Sequence, residues 1–184
     1  MPRSCRPATP ARHSAYASGN RRDTRLVEAA ESALQHQFEL SSVIESHAVY
    51  RATLSATRDT QTARLILASL DRVIAARALR EWHRVDWQLH RTLSEQSGNE
   101  VLAAMAERTQ QEVQALCARY RLRLVYDMDA VWQLQSQHRL IVRCIEIGQA
   151  ERGMQHARAH VQFEGDLLLR SLHSGLGADV HAYR

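Results

Sequence analysis

Nothing in this chain interrupts a helix after Pro10. Its three prolines stand at positions 2, 7 and 10, and only seven glycines are spread over 184 residues. Proline removes a backbone donor and clashes with the preceding turn, so a proline-free run this long permits extended helices. Leu, Ala, Arg, Gln and Glu dominate and aromatics make up 5%, a mix that favours helix over strand. Apolar residues then recur at helical spacing. A lead-in helix over 23–37 carries Leu26, Val27, Ala30, Ala33 and Leu34. A second, over 38–55, carries Leu40, Val43, Ile44, Ala48 and Leu54 on its inner side. A third follows Thr60, a candidate cap, with Ala63, Ile66, Leu67, Leu70 and Ile74. A fourth, over 78–96, carries Trp82, Asp86, Leu89, His90 and Leu93 and stops at Gly98. The fifth, from about Glu100 to Val125 with Asn99 as its candidate cap, shows a stripe of Leu102, Met105, Ala106, Thr109, Val113, Leu116, Cys117 and Tyr120. The sixth begins at Asp127 or Asp129, holds Trp132, Leu134, His138, Ile141, Val142 and Ile145, and stops at Gly148. The seventh, over 150–172, holds Met154, Ala157, His160, Val161, Phe163 and Leu167. The expected fold is all-α, an antiparallel bundle of about six to seven helices in one domain.

All 24 basic residues are arginine. Without lysine, Schiff-base chemistry and lysine-dependent phosphate loops are excluded. Residues 1–22 hold Arg3, Arg6, Arg12, Arg21 and Arg22 and no acid, while the remainder is close to neutral. The basic balance therefore lies in an N-terminal segment expected to be disordered, not in a nucleic-acid-gripping body. Cys5, Cys117 and Cys144 form no motif and suit reduced thiols in a cytoplasmic protein. No segment is apolar enough to cross a membrane.

Four residues stand at spacings suited to one metal site. Asp86 and His90 are four apart, which on a helix puts both on one face, one turn apart. His138 and His160 fall on consecutive helices joined at Gly148. Three neutral imidazoles and a carboxylate suit zinc, nickel or a similar divalent ion, with a position left for water or ligand. With ten histidines in the chain, the alternative is an inward hydrogen-bond network without metal. His83 and His156 lie near the set and are candidates to support it. Arg119, Arg121 and Arg123 cluster near the end of the fifth helix, where one could bind a carboxylate; the plainer role is to complement the helix dipole.

These motifs resemble the FCD effector-binding domain of the FadR branch of GntR-type transcription regulators. The residues that carry the likeness are Asp86-x3-His90, then Ser97-Gly98-Asn99, then His138 heading a helix that ends at Gly148, then His160 in the last helix. The likeness spans about residues 38–172. It implies a metal bound by Asp86, His90, His138 and His160 and a small carboxylate effector beside it. Arg119, Arg121, Arg123 and Asn99 are candidate contacts for that effector, and a homodimer is expected. The implied organisation is a tail over 1–22, a lead-in helix over 23–37, the metal- and ligand-binding domain over 38–175 and a C-terminal tail over 176–184.

The likeness has two departures. Family members carry an N-terminal winged helix for DNA, and the residues before position 38 hold no recognisable wing or recognition helix. Specific DNA binding is therefore expected only if such a domain is missing from this chain. The family also often has Arg in an Arg-x-x-Ile-Glu pattern, where this chain reads Ser41-Ser42-Val43-Ile44-Glu45, so one carboxylate anchor is lost. The expected function is a metal-dependent sensor of small organic acids, not an enzyme. The alternatives are a metal-dependent enzyme on small carboxylic acids, with Glu81 or Glu146 as a base, and a metal-free helical adaptor.

Overall fold

The computed structural model describes residues 16–56, 60–120 and 127–178, without the side chains of 16–24 and 174–178. Six helices account for it: α1 (Tyr16–Leu54), α2 (Gln61–Ala75), α3 (Leu79–Glu95), α4 (Glu100–Arg119), α5 (Met128–Ile147) and α6 (Ala150–Ala178). No strand occurs among the described residues, so the all-α expectation holds. No helix among them is long and apolar enough to cross a membrane.

The separate lead-in and second helices are in fact one. α1 runs through positions 37 and 38 unbroken, because neither glycine, proline nor a capping side chain stands there to release the backbone. It also starts at Tyr16, inside the stretch expected to be disordered; residues 1–15 lie outside the described residues. At the other end α6 continues to Ala178, past the boundary expected at 176. α4 ends at Arg119; positions 121–125 of the expected helix lie outside the described residues.

The stops and caps follow local chemistry. Asn99 accepts a hydrogen bond from Leu102 N–H and Asp127 from Ala130 N–H, each satisfying a donor that the first turn leaves free. Gly148 ends α5 with φ of 75°, a left-handed conformation that glycine adopts without penalty. Thr60 precedes α2, but its side chain makes no capping bond.

α1 packs along α6 and also against α3, α4 and α5, while α2 lies against α3 and α5. Two apolar clusters result. The larger joins Ile66, Leu70 and Ile74 of α2 to Trp82, Leu89 and Leu93 of α3 and Leu134, Ile141 and Ile145 of α5. The smaller joins Ala30 and Leu34 of α1 to Leu168 and Leu172 of α6, with Phe38, Val113 and Cys117 against them. Leu40, Val43 and Leu54 of α1, Met105 of α4 and Trp132 of α5 were expected inside but are exposed. Periodicity marks an apolar stripe, not which part of it finds a neighbour. Ile44, Ala48, Ala106 and Leu134 are buried.

Candidate metal centre

Between the two clusters lies a buried polar layer. α3 supplies Asp86 and His90, α5 supplies His138, α6 supplies His160, and all four are at most 7% exposed. The i, i+4 spacing does what helical geometry requires, turning Asp86 and His90 to the same interior face. The three imidazoles converge by the same edge. His160 Nε2 is 3.0 Å from His138 Nε2 and 3.2 Å from His90 Nε2. Asp86 Oδ1 is 3.3 Å from His138 Nε2, and Asp86 Oδ2 is 3.9 Å from His90 Nε2.

The opposite edge of each ring faces an oxygen. His90 Nδ1 is 2.5 Å from Glu45 Oε2, His160 Nδ1 is 2.9 Å from Gln137 Oε1, and His138 Nδ1 is 3.5 Å from Gln135 Oε1. The Gln135 amide is itself fixed, because its Nε2 donates to Leu67 O and Asp71 Oδ1. Each acceptor favours the proton on Nδ1 and leaves the Nε2 lone pair facing the common centre, the arrangement of metal-binding histidines. Asp86 Oδ1 is buried and accepts no hydrogen bond. Three lone pairs and an unpartnered carboxylate oxygen repel one another at 3 Å unless a cation lies among them. The donor set therefore fits a divalent ion; His90, His138 and His160 could hold one, with Asp86 beside them.

With protons as the only cations, the layer is electrostatically strained. Burial pushes Asp86 up to about 7 against the pull of charged His90. Burial opposes charge on His90, yet Glu45, by its charge and its hydrogen bond, together with Glu164 and Asp86, raises it to about 10. Burial holds His138 and His160 well below the ordinary histidine value, and charged His90 pushes both further down.

A cavity of about 180 Å³ opens beside the cluster. Its walls include Asp86, His90, Glu45 and Glu164, with Phe38, Val113 and Leu168 from the smaller apolar cluster. Ser41 is buried and lines it, so the position where the resemblance expects Arg does face the pocket. His83 also lines the cavity, and burial lowers its pKa. His156 does not line it.

Of the expected carboxylate contacts, neither of the two among the described residues lines the cavity. Asn99 spends its side-chain oxygen on capping α4 and does not line the cavity. Arg119 is exposed at the end of α4, off the face on which Gln110, Val113, Gln114 and Cys117 meet the cavity. Arg121 and Arg123 lie outside the described residues. No arginine lines the cavity among the described residues.

Sequence reasoning missed Glu45, Gln135, Gln137 and Glu164 as parts of the site. Glu164 follows His160 by four residues, the same spacing that flagged Asp86 and His90. Glu45 lies on another helix, and nothing local connects it to His90. The bases considered for an enzyme are both engaged: Glu81 pairs with Arg84, and Glu146 with Arg64 and Arg143. Neither lines the cavity.

No curated protein and no solved structure matches the chain. A family model described as the FCD domain matches residues 35–163, from the lower half of α1 into α6, across every residue of the cluster except Glu164. The chain therefore belongs to the FCD domain family, whose members form the C-terminal domain of GntR/FadR-type regulators.

Proposed function

We propose that this chain is the metal-dependent, small-molecule-sensing part of a GntR/FadR-type transcription regulator, with Asp86, His90, His138 and His160 binding one divalent ion. The observation that carries the reading is the orientation of the imidazoles. Each gives Nδ1 to a side-chain oxygen and turns Nε2 to a centre shared with Asp86. Nitrogen donors with one carboxylate suit zinc or nickel. When bound, the ion supplies positive charge and an exchangeable coordination position for a small organic acid. The chain's own residues do the rest. Glu45, Gln135 and Gln137 orient the rings, Ser41 and His83 offer hydrogen bonds to the ligand, and Phe38, Val113 and Leu168 exclude water from its apolar part. A cavity of this size admits a ligand of a few heavy atoms.

The reading as a cytoplasmic homodimer rests on the family and on exposed apolar residues. Gln37 Nε2 donates to Thr109 O, which sets α1 beside α4. Exposed Leu40 and Val43 on α1, with Met105 and Val101 on α4, supply an apolar face for a second copy. Specific DNA binding is expected only where a winged-helix domain accompanies this one.

The test is metal analysis of protein purified without a histidine tag, with sedimentation of the same sample. About one zinc or nickel per chain in a dimer is expected. His138→Ala is expected to lower occupancy and remove the rise in Tm that added metal gives by mass action. Wild-type protein with no metal, and no melting shift on adding zinc or nickel, would favour the metal-free adaptor.

A further inference from the structure

We propose that Glu164 is a fifth protein ligand of the ion, held in the coordination position that an incoming carboxylate must take. The inference rests on the metal reading above and concerns a residue beyond the matched family segment.

Glu164 sits on α6 one turn after His160, so both side chains leave the helix on the same face. Its side chain is only 15% exposed, and its Oε2 is 3.8 Å from His160 Nε2 and 3.9 Å from His90 Nε2. Donor atoms of Asp86, His90 and Glu164 lie within 4.8 Å of one another. Among the described residues, no arginine forms an ion pair with Glu164; its ion pairs are with the two imidazoles themselves.

The distances from Glu164 to His90 and His160 fit an ion shared by these three residues. Two donors each about 2.1 Å from a metal are separated by about 3.0 Å at a right angle, about 3.6 Å at 120° and about 4.2 Å when opposite. The imidazole pairs, at 3.0 and 3.2 Å, match near-right angles. Glu164, at 3.8 and 3.9 Å, falls between the wider two values, as does Asp86 Oδ2 at 3.9 Å from His90. Zinc, usually four-coordinate, can expand to a fifth ligand. Glu164 also lines the cavity, alongside Asp86 and His90, so it stands where a bound effector would reach the centre. No cavity-lining arginine among the described residues offers a carboxylate a second hold. An organic acid that coordinates the ion competes with Glu164 for its position, and Glu164 sets the concentration at which it binds.

Glu164→Gln tests this, since the amide keeps the shape and is a poor ligand. Metal affinity is read by chelator competition. Acetate binding to the zinc-loaded protein is read by calorimetry, and to the cobalt-loaded protein by its visible spectrum. The substitution is expected to weaken metal binding at least tenfold and to tighten acetate binding at least tenfold. Glu164→Asp, which keeps the charge but withdraws the carboxylate by one methylene, is expected to move both in the same directions by less, and it carries the test if the amide variant does not fold. Opposite shifts in the two affinities support the proposal. Both affinities unchanged, or a change in only one, overturns it. Wild-type protein that takes up no metal at all overturns instead the reading on which it rests.

Discussion

Glu45 meets the cluster only at the far edge of one ring. Its carboxylate is 2.5 Å from His90 Nδ1, and it is 8% exposed. A carboxylate accepting from the far nitrogen fixes the tautomer and makes the near nitrogen a stronger donor. Glu45→Gln retains a hydrogen-bond acceptor but removes the charge. Metal affinity is expected to fall by about 10–100-fold with the fold intact; circular dichroism and chelator competition on one sample decide it, and unchanged affinity would mean that Glu45 only fills space. At this scale the sequence was legible where function follows helical spacing. Asp86 and His90 share a face because they are four apart. Gln135 and Gln137 support rings on two different helices, an arrangement set by packing and invisible to local periodicity. Charge alone does not separate a carboxylate-binding arginine from one that complements a helix dipole, and Arg119 is exposed off the cavity-lining face.

Apolar periods mark the helices, and Gly98, Asn99, Asp127 and Gly148 stand at the junctions from α3 to α6. What the period could not supply was the junction inside α1, where no residue actually signals a break, nor the partner of each stripe. At Phe38, α1 approaches α6 closely because the facing residue is small. A Cβ placed on Gly165 would lie 2.8 Å from Cγ and 3.1 Å from Cβ of Phe38. These are the base of the ring and its stem, which cannot swing aside as a flexible tip would. Phe38 also lines the cavity. Gly165→Ala gains helix propensity, worth up to about 1 kcal/mol, but overpacking a tight contact costs about 1–3 kcal/mol. The expected balance is a net loss of about 1 kcal/mol in urea unfolding, with weaker ligand binding as Phe38 is pushed into the cavity. A stabilised variant with unchanged ligand binding would show that α1 yields at this point without strain.

For the whole molecule, the polar layer makes stability depend on pH in a direction opposite to ordinary acid denaturation. Without metal, Asp86 holds a proton to about 7, Glu164 to about 8 and His90 to about 10. In the unfolded chain the same groups release theirs near 3.9, 4.3 and 6.5. Above about pH 6.5 the native state therefore binds more protons than the unfolded one, and stability falls as pH rises. His138 and His160 add nothing in this range, because burial keeps both neutral when folded and the unfolded chain keeps them neutral above 6.5. Each group contributes a slope of roughly 1.4 kcal/mol per pH unit while its native proton persists. From pH 7 to 9 the metal-free protein is expected to lose on the order of 2–4 kcal/mol, a Tm drop on the order of 10 °C. A bound divalent ion needs these groups deprotonated and takes the place of the protons. The loaded protein should then hold its Tm across the same interval, so the stabilisation by zinc or nickel widens with pH. Melting curves at pH 7 and 9, with metal and after chelation, measure both slopes. A metal-free protein equally stable at the two pH values would mean that the layer is hydrated and its charges relaxed, and the cation-demanding centre inferred from the converging Nε2 atoms would lose its electrostatic basis.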